Sequence, residues 1–448
     1  MKRTEELSGY KGRALKLLED KRVRVGDVIR VKKDGGIYEG VLMPRMELGN
    51  PECIVLKLKS GYNTGILVTA HTHIEFVSPG SKPAFIPPKP PAETPELPPV
   101  AIVSTGGTIA SRVDYRTGAV NPALTAEDLY SVIPELSKIA RIRAEILFSL
   151  LSENITPKHW SRIAEAVAKH IEEGASGVVV AHGTDTMGYT AAALSFALRN
   201  LPVPVILVGS QRSSDRPSTD AAMNLMGAVN AAASAPFAEV GVAMHEGSSD
   251  DSTVIHRGTK VRKCHTSCRY AFRSVNAGPL ARVVDRKITM LTSNFNPRDP
   301  NRKLKLEHNF NEKVYLLKVY PGIQPTIFEW LIDQRYLGIV IEGTGLGHIG
   351  ESYFKVIEEA VKRGIVVAMT SQCIWGRVNM AVYETGRDLL KLGVVPLGDM
   401  LPETALVKMM WIFGQTTYPE EVKRRLLTNI AGEFSPRLNP AEESYVAH

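Results

Sequence analysis

Apolar residues follow two different rhythms along the chain, one on each side of a proline-rich stretch. From Arg22 to Lys33 the residues Val23, Val25, Val28, Ile29 and Val31 alternate with polar ones, broken once at Gly26-Asp27. Such alternation marks half-buried strands. Asp34-Gly35-Gly36 is a turn signal, and the next short strand, IYEGVLM, follows it. A third run, Ile54 to Lys59, ends at a turn around Ser60-Gly61, and a fourth spans Gly65 to Val68. Strands this short and this closely spaced predict a small N-terminal β-barrel (SH3-like) domain over residues 1–78. It offers few groups placed for chemistry, so it reads as a docking or binding module. From Pro79 to Pro99, nine of 21 positions are proline. Proline fixes φ and removes a backbone donor, so residues 79–99 read as a stiff, extended linker.

Beyond the linker the strands lose their alternation. Residues 100–105, 177–182, 203–209, 338–343 and 364–369 are short and apolar throughout, as strands buried on both faces are. Helix signals lie between them: Thr125 to Asp128 has the form of a capping box, and Thr156-Pro157 is a capped start with proline in the first turn. Alternating strands and helices predict an α/β, doubly wound architecture with parallel sheets. A polar, proline-broken stretch at 293–313 divides it into two domains, 100–300 and 301–448.

Composition narrows the class. A chain of 448 residues has room for two or three domains, and 44% hydrophobic residues exclude a wholly disordered or fibrous protein. Four cysteines are too few for a disulfide scaffold and suit a reducing compartment. The first residues carry charges and no apolar core of a secretory signal, and no run of about 18 apolar residues occurs. A soluble, cytoplasmic protein with no membrane partner is expected. The net charge of +7 is uneven: residues 1–33 hold eleven Lys or Arg against five Asp or Glu. That basic end is open between a nucleic-acid contact and a merely solvated face.

Ligands of open α/β sheets sit beyond the carboxyl ends of the strands, so the loops there are the place to look for chemistry. The first strand runs into Thr105-Gly106-Gly107-Thr108. Adjacent glycines let backbone approach a bound group and leave N–H groups facing it, although a tight turn closed by a helix-capping threonine is the commoner meaning. The second loop, His182-Gly183-Thr184-Asp185-Thr186-Met187, sets hydroxyl beside carboxylate. Asp185 also reads as a helix-dipole partner, and His182 as a histidine closing a strand end. A threonine hydroxyl needs a base or a lowered pKa to attack. Residues 256–273 carry six Lys or Arg and no acid, so a lysine is available there, and like-charged neighbours would ease its deprotonation.

These motifs resemble the bacterial-type L-asparaginase/glutaminase family: TGGTIA at the first strand, HGTDTM at the second, and Lys263 ahead of SVNAGPL. The resemblance covers most of residues 100–448 and implies two asparaginase-like α/β domains. It implies Thr108 as nucleophile, with Thr184, Asp185 and Lys263 as the second catalytic set. It further implies Tyr115 on a mobile loop, Gly107 beside the substrate, and Ser152-Glu153 gripping the substrate's α-carboxylate and α-amine. Many family members have Gln where Glu153 stands, and Asn where His348 stands in the loop 343–350. Residues 1–99 are absent from simple asparaginases. With them, the chain is more similar to the GatD class of archaeal glutamyl-tRNA(Gln) amidotransferases. That implies glutamine as substrate, with ammonia passed to a GatE-type partner subunit. In this picture the partner holds ATP and Mg and binds most of tRNA(Gln), while this chain forms a homodimer within a heterotetramer and needs no cofactor of its own. No GxxxxGK[ST] phosphate loop occurs in the chain, in keeping with ATP chemistry elsewhere.

Two other readings remain at this level: a free-standing L-asparaginase with an added N-terminal module, and a non-catalytic scaffold on the same fold. The Cys264-His265…Cys268 stretch, with His245 and His256 upstream, suggests zinc only weakly, because a second ligand pair at regular spacing is missing. No metal site is expected. The GTGLGHIG loop at 343–350 imitates a dinucleotide fingerprint but lacks the trailing acidic residue at the required distance.

Overall fold

A computed structural model describes residues 7, 10–43, 50, 52–58, 63–80, 95–107, 111–113, 120–122, 129–130, 133–212 and 219–437. The N-terminal part is an antiparallel sheet, as the alternation predicts. Strand Val28–Lys33 lies between Gly36–Leu42 and His73–Ser78, and Cys53–Leu58 and Asn63–Leu67 extend the sheet beyond Gly36–Leu42. The pairing links five strands in a row and leaves two edges. Two elements escaped the sequence pattern: the fifth strand, His73–Ser78, and the helix Gly12–Asp20. The helix turns Ala14 and Leu18 onto Ile29, Val31, Leu42, Ile54, Leu56 and Ile74 of the sheet. On the opposite face Arg30 is bonded to Glu39 (2.6 Å) and Glu75 (3.3 Å), and Lys32 to Glu75.

The first α/β sheet has eight strands, and here the expectation of a parallel sheet is corrected. Arg141–Ile146, Pro99–Ser104, Gly177–Ala181, Val205–Val208 and Val240–His245 run parallel. Thr253–Arg257, Ala281–Val284 and Lys287–Met290 then continue the sheet antiparallel. A parallel return needs a crossover of a dozen or so residues, and the short turn 246–252 cannot provide one. Both faces are covered, which explains the unbroken apolar runs. In Gly177–Ala181, Val179 and Ala181 face the helix Ala221–Ser234. Val178 and Val180 face the helices Pro157–Glu172 and Met187–Ala197. Each such buried Val, Leu or Ile stabilises the fold by roughly 1.5–3 kcal/mol. The helix Pro157–Glu172 begins at Thr156 as predicted, with His159 Nδ1 accepting the Thr156 N–H at 3.0 Å. The suggested cap at Thr125–Asp128 lies outside the described residues.

The second sheet, Val314–Lys318, Gly338–Gly343, Val366–Ser371 and Val395–Pro396, is parallel throughout. Helices Thr326–Asp333 and Phe354–Lys362 cover one face, and Pro402–Phe413 with Pro419–Leu426 the other. The two sheets are joined by one apolar cluster in which Ala192, Ala193 and Phe196 pack against Val407 and Trp411, the Phe196 and Trp411 rings stacking at 5.8 Å. Two buried ion pairs stand near this junction, Lys260–Asp399 at 2.5 Å and Lys408–Glu433 at 2.6 Å. Among the described residues no helix is long and apolar enough to cross a membrane.

Candidate active site

Three loops meet at the carboxyl end of the first sheet. Thr105 donates both its N–H (2.9 Å) and its Oγ1 (3.0 Å) to the carbonyl of Ala181, while its own carbonyl accepts the N–H of Leu150 at 3.1 Å. One threonine thus ties the loops after Pro99–Ser104, Arg141–Ile146 and Gly177–Ala181 together. The glycines that follow are required by contact as well as by conformation. Gly106 has φ +121°, and a Cβ there would stand 2.1 Å from the Leu150 carbonyl. Gly107 has φ +81°, and its Cβ would stand 3.0 Å from the Gly183 nitrogen. Backbone therefore packs on backbone at this glycine pair.

Lys263 arrives from the short hairpin formed by Val261–Lys263 and Phe272–Ser274. Its Nζ donates to Thr184 Oγ1 at 3.0 Å and to Asp185 Oδ1 at 2.7 Å. Residues 79 positions apart thus converge on one hydroxyl. Ser152 is buried directly under the second loop: a Cβ on Gly183 would meet its Oγ at 2.9 Å, and its carbonyl accepts Thr186 Oγ1 at 2.7 Å. Glu153 follows in an exposed turn at the same rim. The structure therefore gathers Gly107, Ser152, Glu153, Thr184, Asp185 and Lys263 about the three loops. Thr108 and Tyr115 lie outside the described residues.

The surroundings of Lys263 differ from the sequence expectation in one respect. Residues 256–273 are free of acids in sequence but not in space. Arg257 pairs with Glu239 (2.7 Å), Lys260 with Asp399 (2.5 Å), Arg262 with Glu403 (3.0 Å) and Arg269 with Asp250 (2.5 Å). Four carboxylates from three other segments neutralise the local run, so a field of unpaired like charges is not what surrounds Lys263. His182 is structural, as the blander reading had it. Its Nδ1 meets the Gly183 carbonyl at 2.7 Å and its Nε2 the Thr190 hydroxyl at 2.9 Å. Burial depresses its pKa to about 4, so the ring is neutral near pH 7.

Sequence reasoning missed a set of residues beneath the loops. Asp220, Asn224 and His245 are buried polar groups bonded to one another in series. Asp220 carried a readable signal, since Ser-Thr-Asp before an apolar helical run suggests a helix start. His245 stood out only as a weak zinc candidate, and Asp250 carried no signal. The loop 343–350 closes on itself through a Thr344–His348 bridge, and the His348 ring packs edge-on to Tyr383 at 5.5 Å. Cys264 and Cys268 are free thiols, and among the described residues no group of three or more His, Cys, Asp or Glu is placed to hold a metal ion.

Three family models match the chain: "Asparaginase, N-terminal" over residues 99–295, "Glutaminase/Asparaginase C-terminal domain" over 313–426, and "GatD N-terminal domain" over 23–77. The D-type subunit (GatD) of the glutamyl-tRNA(Gln) amidotransferase of Metallosphaera sedula is 51% identical over 96% of this chain and 97% of its own length. The protein of the same description from Pyrococcus horikoshii is 53% identical over 95% and 98%. The chain belongs to the GatD family of glutamyl-tRNA(Gln) amidotransferase subunits.

Membership of the GatD family accounts for nearly the whole length of the chain. Solved asparaginases account for less. The thermostable L-asparaginase from Thermococcus kodakarensis superposes with a TM-score of 0.67 at 34% identity, covering 76% of this chain and 100% of that one. L-asparaginase I from Vibrio cholerae does so at 0.66 and 29%, covering 76% and 99%. The asparaginase-like α/β body is thus shared with both, and GatD proteins match it together with the N-terminal sheet.

Proposed function

We propose that this chain is the glutamine-hydrolysing subunit of a tRNA-dependent amidotransferase that converts Glu-tRNA(Gln) to Gln-tRNA(Gln). The observation that carries this reading is the Thr184–Lys263–Asp185 contact, set beside the glycine loops of a chain that resembles GatD proteins from end to end. In this reading Thr108 Oγ adds to the side-chain amide carbon of glutamine and gives up its proton, which Lys263 relays towards the leaving nitrogen. The resulting oxyanion takes hydrogen bonds from loop N–H groups, each worth about 3–4 kcal/mol of barrier. The carbon–nitrogen bond then breaks as Lys263, held by Thr184 and Asp185, delivers a proton to the leaving nitrogen. Ammonia departs, and water hydrolyses the γ-glutamyl ester on Thr108 to give glutamate. Ser152 and Glu153 hold the α-carboxylate and α-amine, Gly107 lines the site, and Tyr115 closes over it.

The chain divides in this reading into an SH3-like β-barrel module (1–78), a linker (79–99) and two asparaginase-like domains (100–300 and 301–448). It works in the cytoplasm, as a homodimer within a heterotetramer with a GatE-type subunit. That partner supplies ATP and Mg chemistry, binds most of the tRNA and receives the ammonia; this chain needs no cofactor.

Ammonia release from glutamine and from asparagine, with and without the partner subunit and Glu-tRNA(Gln), tests the proposal. Glutamine turnover that responds to the partner and tRNA is the expected result. Strong asparagine turnover by the isolated chain would replace it with a free-standing asparaginase, and silence under all conditions with a scaffold. Thr108→Val should abolish glutamine hydrolysis while the assembly survives; retained ammonia release would remove Thr108 from its role.

A further inference from the structure

A hydrogen-bonded chain, buried at Asp220, Asn224 and His245 and exposed at Asp250, runs from beneath Thr184 to the hairpin that carries Lys263. It begins at Asp220, whose carboxylate accepts the backbone N–H groups of Gln211 and Arg212, each at 2.9 Å. Asn224, one helical turn further on, donates its Nδ2 to Asp220 Oδ2 at 2.9 Å and to the Gly209 carbonyl at 3.0 Å. Gly209 lies against Thr184, since a Cβ there would stand 2.8 Å from Thr184 Cγ2. With its Nδ2 so engaged, Asn224 presents Oδ1 as an acceptor to His245 Nδ1 at 2.6 Å. The other ring nitrogen, Nε2, meets Asp250 Oδ1 at 2.9 Å.

Both ring nitrogens of His245 therefore face acceptors. Asp250 is the link to the hairpin. Its Oδ1 also accepts Arg269 Nη1 at 2.5 Å, and Arg269 Nη2 donates to the Ser248 carbonyl. The His245 hydrogen bond, aided by the Arg269 charge, holds the Asp250 carboxyl below its ordinary pKa. Arg269 sits in the hairpin turn between Lys263 and Phe272, which are themselves paired.

We propose that Asp250, His245 and Arg269 are positioning residues for Lys263. The chain grips the Thr184–Lys263 contact from both sides, through Gly209 under Thr184 and through Arg269 in the hairpin. Neither Asp250 nor His245 bonds to Thr184 or Lys263; both act through intermediate residues. This inference rests on the reading of Lys263 as the proton-delivering group.

The test uses the full-length chain with its partner subunit. Asp250→Ala, Arg269→Ala and the double variant are assayed for glutamine hydrolysis, with Arg269→Lys as the conservative variant. Displacing a positioned group by about an ångström costs on the order of 100-fold. The kcat of each single variant should fall about 10- to 100-fold with KM nearly unchanged. The double variant should be no worse than the singles, because both cut one contact, and Arg269→Lys should recover much of the loss. Hydrogen exchange supplies a readout independent of activity. The amides of Cys264 and Ala271, bonded across the hairpin to the Ala271 and Cys268 carbonyls, should exchange faster in the variants while those of Pro157–Glu172 do not change. Unchanged kcat with unchanged hairpin exchange overturns the inference, as do losses that simply add. Lys263→Met separates the two readings: if it stays active, the site assignment itself is wrong, whatever the hairpin does.

Discussion

Lys260 and Asp399 form a 2.5 Å ion pair with side chains 1% and 0% exposed, and the contact joins the segment just before the Lys263 hairpin to the turn after the last strand of the second sheet. Asp399 Oδ1 and Oδ2 also accept the Ser435 N–H at 3.0 and 3.2 Å, and its carbonyl accepts Asn276 Nδ2 at 3.1 Å. Burial pushes the Lys260 pKa down and the Asp399 charge pulls it back up. Asp399→Ala leaves an ammonium in the core with a single carbonyl, that of residue 399 at 3.4 Å, as its bonding partner among the described residues. Removing one partner of a buried pair costs about 3–5 kcal/mol, whereas replacing both by apolar groups is often close to neutral. At about 2–4 °C of Tm per kcal/mol for units of 150–250 residues, Asp399→Ala should melt on the order of 6–20 °C lower than the parent. Lys260→Met/Asp399→Leu should recover most of that. Calorimetry and denaturant titration of the three proteins side by side decide the matter. A single variant within 1 kcal/mol (a bound taken from exposed pairs) would show that water reaches Nζ. A double variant as unstable as the single would show that the Ser435 N–H, left without its carboxylate acceptor, and not charge makes the site matter.

Other predictions follow from single contacts. His182 is held neutral with a folded pKa of about 4 against 6.5 unfolded, so its contribution is complete above pH 6.5. The unfolded chain protonates first as the pH falls, and roughly 3 kcal/mol, at 1.36 kcal/mol per unit, is lost by pH 4. In His182→Gln the drop in denaturant midpoint between pH 7 and 4.5 should be visibly smaller, and an identical drop would contradict the assignment. Gly183→Ala puts a methyl 2.8 Å from Ser152 Cβ. It should cut glutamine hydrolysis strongly for a stability cost of about 1–3 kcal/mol, measured by kcat and by melting. Trp411→Ala removes the ring stacked on Phe196 and the Nε1 bond to the Glu307 carbonyl at 2.8 Å. It should cost about 3–5 kcal/mol in chemical unfolding.

The strands that surround the site were legible because a strand buried on both faces has no polar alternation; Gly177–Ala181 and Gly338–Gly343 are buried from end to end. The antiparallel continuation of the first sheet was less legible. Its strand Lys287–Met290 is half exposed, and its partners are interleaved with the charged run 256–273. The helix Gly12–Asp20 lies in the basic segment, where the density of charge masks the helical spacing of Ala14 and Leu18. At the site, Lys263 was legible through its motif, but its neighbours were not. The carboxylates that neutralise 256–273 come from Glu239, Asp250, Asp399 and Glu403, and only the fold reveals which acid meets which base. The chain through Asn224 and His245 was invisible for the same reason, since its members are scattered along about 50 residues and share no periodicity.

The hairpin strand ending at Lys263 has a mechanical property that follows from where its neighbours are fastened. The Thr259 carbonyl accepts Thr404 Oγ1 at 2.9 Å, Lys260 grips Asp399, and Arg262 grips Glu403. Thr259, Lys260 and Arg262 are thus riveted to the segment 399–404, at the start of the helix Pro402–Phe413, and Lys263 follows with no slack between. A tilt of that helix would therefore pull on the residues that lead directly into Lys263.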